Sequence, residues 1–525
     1  MSAITLPAER RAGPRSGRRG HPWLTLVAVA LGVMMVAVDG TVVSVANPTI
    51  GHDLGSSLAG LQWVTNAYLL SLAVLLIVGG KLGDRFGRRL IFSIGIAGFA
   101  LASLGCALSG SIGMLIVFRV IQGVAGAMLM PNTLAILRAT FPHDKLDQAV
   151  GIWGGSTALA TASGPIVGGL LVQHVSWQSI FLINIPLGAL ALAVTLLVVA
   201  ESRDPRAGRG LDPLGVGLLT GALFSIVWGL IKTQSHGWGS AYALGFMAAG
   251  FVLLALFVAA ELRSDHPLLP MGLFANRSLS AGVVLVILGL FVLFGVLFFV
   301  TLYLQRVHGL SPVESGVRVL PLTGVFALSA PLGGVLSARF GPRVPLVIGM
   351  LLLGGAMLGL LGLQVDSGFS AMWPWFLAIG IALGLVVVAS TQAIVGNAPV
   401  ALGGVAGGLQ TTANQLGGVL GTAVLVSIIV AKVGSTLGGH LAGAGVPPAV
   451  ATHVTAAKQL VAQGIPPVSP HMSAALAHKI TVASYASFMD ALHAALLVGA
   501  LCAFAGAALA LLVRRGHGAA TAAAV

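Results

Sequence analysis

The chain has 525 residues, of which 57% are hydrophobic and 8% charged, where a soluble globular protein carries about 25% charged residues. That balance excludes a water-soluble fold. Lys and Arg total 27 against 14 acids, a formal net charge of +13; in a membrane protein such an excess reports orientation, and no nucleic-acid partner is expected. Two cysteines, Cys106 and Cys502, sit in long apolar runs and set neither a disulfide framework nor a metal-ligand spacing.

A span needs about 20 mostly apolar residues to cross the hydrocarbon core. Apolar runs cut at charge, Pro or Gly clusters predict fourteen spans: 23–47, 60–80, 90–110, 112–138, 148–172, 179–200, 212–234, 240–262, 279–303, 314–338, 344–364, 372–396, 403–431 and 486–513. The basic stretch 1–22 lacks an A-x-A cleavage site and reads as an uncleaved tail. Of the 27 cations, 20 fall in the tails and loops of one side, five on the other, and Arg119 and Arg318 within spans. The positive side is the cytoplasmic one, so both termini, 1–22 and 514–525, are expected there. Residues 432–485 form the one long outer segment.

The chain repeats internally. The loop Gly79 to Arg89 matches Gly333 to Arg343 at seven of eleven positions, at an offset of 254. Spans 5 and 13 match at 253, pairing Gly151 with Gly404, Gly154 with Gly407, Gly164 with Gly417 and Gly168 with Gly421. An offset of eight spans implies two six-span halves, 23–200 and 266–513, with two spans inserted at 201–265. Parallel repeats of this kind are related by an axis along the membrane normal.

These residues resemble the major facilitator superfamily, specifically its 14-spanner drug/proton antiporter branch, over nearly the whole chain. Gly80-Lys81-Leu82-Gly83-Asp84-Arg85-Phe86-Gly87-Arg88-Arg89 looks like the family's loop motif, and Arg119 to Gly123 like its span 4 motif. Gly151 with Gly164-Pro165-Ile166-Val167-Gly168-Gly169 looks like the antiporter motif of span 5, and Asp39 to Asn47-Pro48 like the 14-spanner signature of span 1. Trp177, Phe181, Asn184, Pro186, His266-Pro267 and Gln305 are further echoes. Ala160 departs from a usual Gly, Gln178 and Ser179 from a basic and an aromatic residue, and Ala338 and Pro342 from an acid and a base, so the second loop copy is expected to be the weaker lock. The resemblance implies an all-α membrane protein with the major facilitator fold, and a multidrug efflux transporter with no enzymatic activity and no cofactor beyond a proton gradient.

Asp39 is the one acid deep inside a predicted span, where a charge costs about 2.5–3.5 kcal/mol on insertion scales. Counting about 1.5 Å per residue, it lies roughly 12 Å below the outer end of span 1, and Arg119 roughly 10 Å below that of span 4. Equal depth permits a pair. Two readings stay open: a structural ion pair holding helices together, or a proton-coupling site. The family resemblance links the arginine to proton coupling. Gly80, Gly87 and Gly83 suit a tight turn, and Asp84 is expected at the start of span 3. With Arg85, Arg88 and Arg89 it makes either a solvated turn or, by resemblance, a conformational lock. Gly151, Gly164, Pro165, Gly168 and Gly169 serve close helix packing or a bend used during export.

Candidates for a substrate cavity are Gln62, Trp63, Asn66 and Tyr68 in span 2, Gln122 in span 4, Tyr303 and Gln305 at the end of span 9, and Gln392, Gln410 and Asn414 in the second half. Each also suits helix–helix hydrogen bonding or an interfacial position. With one intramembrane acid, a lipophilic neutral, monocationic or weakly acidic compound is favoured over dications. No G-x-x-x-x-G-K-[ST], H-E-x-x-H, C-x-x-C or G-x-S-x-G sequence occurs, which excludes ATP-driven pumping of the P-loop type and leaves a membrane enzyme as a remote alternative. The nearer alternative is an importer or exporter of another small organic solute. The expectation is a monomeric, proton-coupled exporter in a bacterial cytoplasmic membrane, meeting lipid, protons and a lipophilic small molecule.

Overall fold

The computed structural model describes residues 20–203, 212–264, 267–399, 402–469 and 471–514, so most of both predicted tails lies outside the described residues. Among these residues there is no strand. Fourteen helices are long and apolar enough to cross a membrane: α1 (Pro22–Asp53), α2 (Leu58–Phe86), α3 (Arg88–Ala107), α4 (Ile112–Thr140), α5 (His143–His174), α6 (Asn184–Val198, entered through a turn at Ser179–Leu182), α7 (Pro213–His236), α8 (Ala241–Glu261), α9 (Arg277–Leu302), α10 (Pro312–Phe340), α11 (Arg343–Leu360), α12 (Trp373–Val395), α13 (Gly403–Gly443) and α14 (Ala474–Ala510).

Local chemistry sets the ends. Ser57, Ser111, Asp212, Ser240, Asn276 and Ser473 each accept a backbone N–H at a helix start, and Ser311 with Glu314 forms a capping box on α10. Gly87 ends α2 at φ +123° and Gly341 ends α10 at φ +81°, backbone geometry that favours glycine at both copies of the repeated loop.

The repeat is visible in the packing. Lipid supplies little drive for helices to associate, so small residues that let backbones approach carry the interfaces. A Cβ on Gly168 would stand 3.0 Å from the Val42 carbonyl of α1, and one on Gly417 would stand 2.6 Å from the Ile287 carbonyl of α9. Thus α5 lies on α1 as α13 lies on α9. Across the halves α5 meets α10 and α2 meets α13. The inserted helices α7 and α8 pack on each other beside the α2–α13 seam, where Ser427 donates to the Leu230 carbonyl at 2.8 Å.

Two expectations are corrected. Helices α13 and α14 run well past the predicted spans, so the segment 432–485 shrinks to a connector between Gly443 and Ala474 with short helices at Pro448–Ala456 and Lys458–Val461. Ala- and Gly-rich sequence of low hydrophobicity forms helix here because the two helices tie to each other, through His440 with Asp490 at 2.7 Å and Thr436 with Ser487 at 2.9 Å. Asp84 sits in the last turn of α2 rather than at the start of α3, because Phe86 continues α2 up to the Gly87 turn.

Candidate functional site

Five elements converge on Asp39. The carboxylate is fully buried, and Arg119 on α4 is 1% exposed. Arg119 Nη1 donates to Asp39 Oδ2 at 2.5 Å and to Gln122 Oε1 at 2.7 Å, and its Nε donates to the Val64 carbonyl of α2 at 3.0 Å. Gln122 Nε2 donates to Asp39 Oδ1 at 2.9 Å and to Ser103 Oγ on α3 at 2.7 Å, while Asn184 of α6 reaches Asp39 Oδ1 at 3.3 Å. The guanidinium lies 4.1 Å from the Tyr68 ring centre, and Tyr68 donates to the Val36 carbonyl at 3.4 Å. Asp39 therefore accepts from three side chains on two helices, α4 and α6, the arrangement a buried charge requires. The equal depths of Asp39 and Arg119 become a contact, and Gln122 and Tyr68, expected at a cavity, belong to this network.

The end of the bundle that carries the Gly87 and Gly341 turns is the basic end. There Asp84 bonds Arg88, four residues on, at 2.7 Å, a partly exposed pair. Glu201, which sequence reasoning passed over, closes the turn: its carboxylate accepts from the backbone N–H of Arg89 at 3.0 Å and Leu90 at 3.2 Å, at the positive end of α3. The Arg89 guanidinium donates to the Leu196 carbonyl at 2.8 Å, and Lys81 to the Pro267 carbonyl at 3.1 Å. Arg85 lies 5.0 Å from the Phe86 ring centre, and Gly80 faces Pro131 of α4. The loop is thus fastened to α4, to the end of α6 and to the segment before α9.

At the far end the halves close on each other. Gln305 donates to the Val45 carbonyl of α1 at 3.1 Å, Arg306 donates to the Pro48 carbonyl, and the Val313 N–H donates to Gln173 at 3.2 Å. Helices α5 and α10 touch backbone to backbone: a Cβ on Gly316 would strike the Pro165 carbonyl, and one on Gly169 would come 2.6 Å from the Pro312 carbonyl. Nearer the basic end a Cβ on Gly154, Gly155 or Gly324 would meet nothing within 4 Å, while Thr323 of α10 still donates to the Ala162 carbonyl of α5 at 3.3 Å. Gly151 falls on α5, and its surroundings lie outside the described residues.

Beneath the far-end seal lies a narrow cavity between the halves, lined by Gly40, Thr41, Ser44 and Asn47 of α1, Thr65 of α2, Phe294, Leu297 and Phe298 of α9, and Thr422 of α13. None of the ten predicted cavity residues lines it. Gln62 donates to the Thr422 carbonyl at 2.9 Å and Asn66 accepts from the Thr422 hydroxyl at 2.5 Å, so both bind α2 to α13. Trp63 turns away to the inserted pair, 5.7 Å from both Phe224 and Trp228. Tyr303 donates to the Gln364 carbonyl at 2.6 Å inside the second half, Gln305 belongs to the seal, Gln410 bonds Asn414 at 3.3 Å, and Gln392 is exposed. The signal for the cavity was a polar stripe, Thr41, Ser44 and Asn47 three residues apart on one face of α1, a spacing that does not tell whether the face meets a cavity or another helix.

The profile of the Major Facilitator Superfamily matches residues 29–422. The chain is 47% identical to the tetracenomycin C resistance and export protein of Streptomyces glaucescens, over 96% of this chain and 93% of that one. It is 34% identical to the multidrug efflux pump LfrA of Mycolicibacterium smegmatis, over 93% and 95%. Among solved structures, a bacterial homologue of the human lysosomal transporter Spinster, inward-facing and unoccupied, superposes with a TM-score of 0.60 at 20% identity, over 95% of this chain and 98% of that one. The crystal structure of a D-xylose–proton symporter superposes at 0.54 and 15%, over 78% and 97%.

Proposed function

Because the chain belongs to the major facilitator superfamily, we propose that it is a proton-coupled exporter of lipophilic drugs or antibiotics, working by alternating access. It lies in a bacterial cytoplasmic membrane with the basic end and both termini in the cytoplasm, the orientation that the positive-inside rule assigns. The export and resistance named for the relatives support the cargo class, and the seal at the far end supports access from the basic end.

One observation carries the coupling. Asp39 and the cavity residues Gly40, Thr41 and Ser44 share α1: the carboxylate faces α4 while the neighbouring residues face the cavity. A proton on Asp39 removes the charge that balances Arg119, and a group buried at this depth cannot leave a cation unmatched without a large cost. The pair must then shift, and α1 shifts with it. Substrate in the cavity and a proton on Asp39 thus act on the same helix from opposite faces, and release of one favours entry of the other. Pro165, which interrupts the hydrogen-bond ladder of α5, lets that helix bend as the seal opens.

Reconstitution into liposomes with an imposed pH gradient and a panel of dyes and antibiotics tests the reading. Accumulation that collapses with the gradient is expected. Accumulation indifferent to the gradient overturns the antiport, and transport of sugars or organic acids in place of the panel overturns the cargo class.

A further inference from the structure

At the basic end of the bundle a buried carboxylate lacks a donor. Glu261, the last residue of α8, is 3% exposed; its Oε2 accepts from the Leu269 N–H at 2.9 Å, and its Oε1 has no hydrogen-bond partner. Asp212, which caps α7, is its counterpart: Oδ1 accepts from the Gly215 N–H at 2.8 Å, and Oδ2 is turned toward Glu261. A Cβ on Gly215 would stand 2.6 Å from Asp212 Oδ2 and 2.6 Å from Glu261 Oε1, so the two oxygens flank one point that a glycine leaves open. Each carboxyl is thus pinned by a backbone N–H on one oxygen while its other oxygen faces the neighbouring acid.

Two acceptors that face each other lack a proton between them. Buried polar atoms ordinarily find partners, and two carboxylates that share a site are not both ionised without cost. Among the described residues one cation faces the pair, Lys81 of α2. Its Nζ donates to the Pro267 carbonyl at 3.1 Å, and no ion pair joins it to either acid. With both acids ionised this group of three carries an excess negative charge at a buried place; with one proton it is neutral. A metal ion suits the site less well: among the described residues no three ligating side chains gather there, and Lys81 already supplies positive charge.

We propose that Asp212 and Glu261 hold one proton between them, a protonation site separate from Asp39 that fastens the inserted pair α7 and α8 to the segment entering α9. The proton belongs to the pair rather than to either acid, and it comes from the solution at the basic end. The Glu261 bond to the Leu269 N–H ties that segment to α8, and the Lys81 bond to the Pro267 carbonyl ties it to α2. Leu268 and Leu269 are buried beside these bonds. Loss of the proton sets two anions against each other at the join, so the tether loosens as the solution at the basic end turns alkaline. The site is independent of the exporter reading, which turns on Asp39.

The test is infrared spectroscopy on the purified full chain in detergent at neutral pH, wild type minus Glu261→Gln. The glutamine keeps an oxygen for the Leu269 N–H and points an N–H at Asp212, so the variant replaces the shared proton by a fixed one. The difference is expected to show the carbonyl band of one protonated carboxyl, present in the wild type and lost in the variant. Loss of a carboxylate band with no protonated-carboxyl band overturns the proposal. Thermal unfolding gives a second readout. From mildly acid to mildly alkaline buffer the wild-type melting temperature is expected to drop by about 2 °C more than that of Glu261→Gln, because the folded chain holds a proton that the unfolded carboxyls release. Equal slopes overturn the proposal, and so does a wild type that sodium or potassium ions stabilise in alkaline buffer, which would put a metal ion between the acids. Should Glu261→Gln fail to fold, Asp212→Asn, which keeps the cap, is measured in its place with the same expectations.

Discussion

Replacing Asp39 by Asn removes one charge and almost no volume, yet the structure makes it a severe change. Asp39 Oδ2 takes Arg119 Nη1 at 2.5 Å, and Oδ1 takes Gln122 at 2.9 Å and Asn184 at 3.3 Å. An amide offers one oxygen and one NH2, so whichever way it is turned its NH2 meets a donor. Arg119, 1% exposed, keeps its charge with no counter-ion. Removing one partner of a buried pair costs about 3–5 kcal/mol. Removing both charges, as in Asp39→Asn with Arg119→Gln, deletes the unmatched cation, so the double variant is expected to regain at least half of that loss. The assay is a double-mutant cycle on thermal unfolding in detergent, followed by fluorescence-detected gel filtration. A single variant as stable as the wild type, or a double variant no better than the worse single, would falsify the claim that charge pairing organises this network. Pairing at this depth and proton coupling are separable: Asp39→Glu, which keeps the charge, is expected to restore more stability than Asn while shifting the pH at which transport is half-maximal.

Further outcomes follow from other contacts. Gly316→Val places a side chain against the Pro165 carbonyl, so α5 and α10 cannot close; the variant is expected to fold, to lose transport, and to leave Ser44→Cys open to an impermeant maleimide from the far side. Wild-type-like transport would show that the seal is dispensable. Glu201→Ala removes the acceptor for the Arg89 and Leu90 N–H groups and is expected to cost about 0.5–2 kcal/mol of stability, as loss of a helix cap does, read as a lower melting temperature that Glu201→Asp partly restores. His308 has its pKa pushed down, by burial first and by Arg318 second, with Asp366 opposing. The unfolded chain therefore binds a proton near the ordinary value of about 6.5 while the folded chain does not. Stability is full above that pH and falls as the solution is acidified below it; His308→Asn is expected to flatten the fall, and an unchanged acid slope would reject this assignment.

The spans were legible because a bilayer demands length and apolarity, and both can be read along a chain. The Asp39–Arg119 contact was legible as equal depth, since helical rise converts residue number into distance. Glu201 was not, because it accepts from a helix start 112 positions earlier in the chain, at Arg89, and no local spacing announces that. Gln122 was taken for a cavity residue, since a polar side chain three residues after Arg119 shows its depth but not which neighbour it faces. Asn47 stood in a quoted signature without its place on the cavity wall being visible, because that place is a property of the folded neighbourhood alone. The extra turns of α13 and α14 were hidden for a similar reason: pairing between two helices, rather than hydrophobicity, sustains them beyond the span.

The central claim is that substrate and proton move in opposite directions through one machine. Proteoliposomes loaded with substrate and the pH dye pyranine, diluted into substrate-free buffer of the same pH, measure this without an imposed proton gradient. Substrate leaving the lumen is predicted to draw protons in and acidify it, and Asp39→Asn to abolish the signal. Substrate efflux with no change in lumenal pH, or with the lumen turning alkaline, would contradict the account.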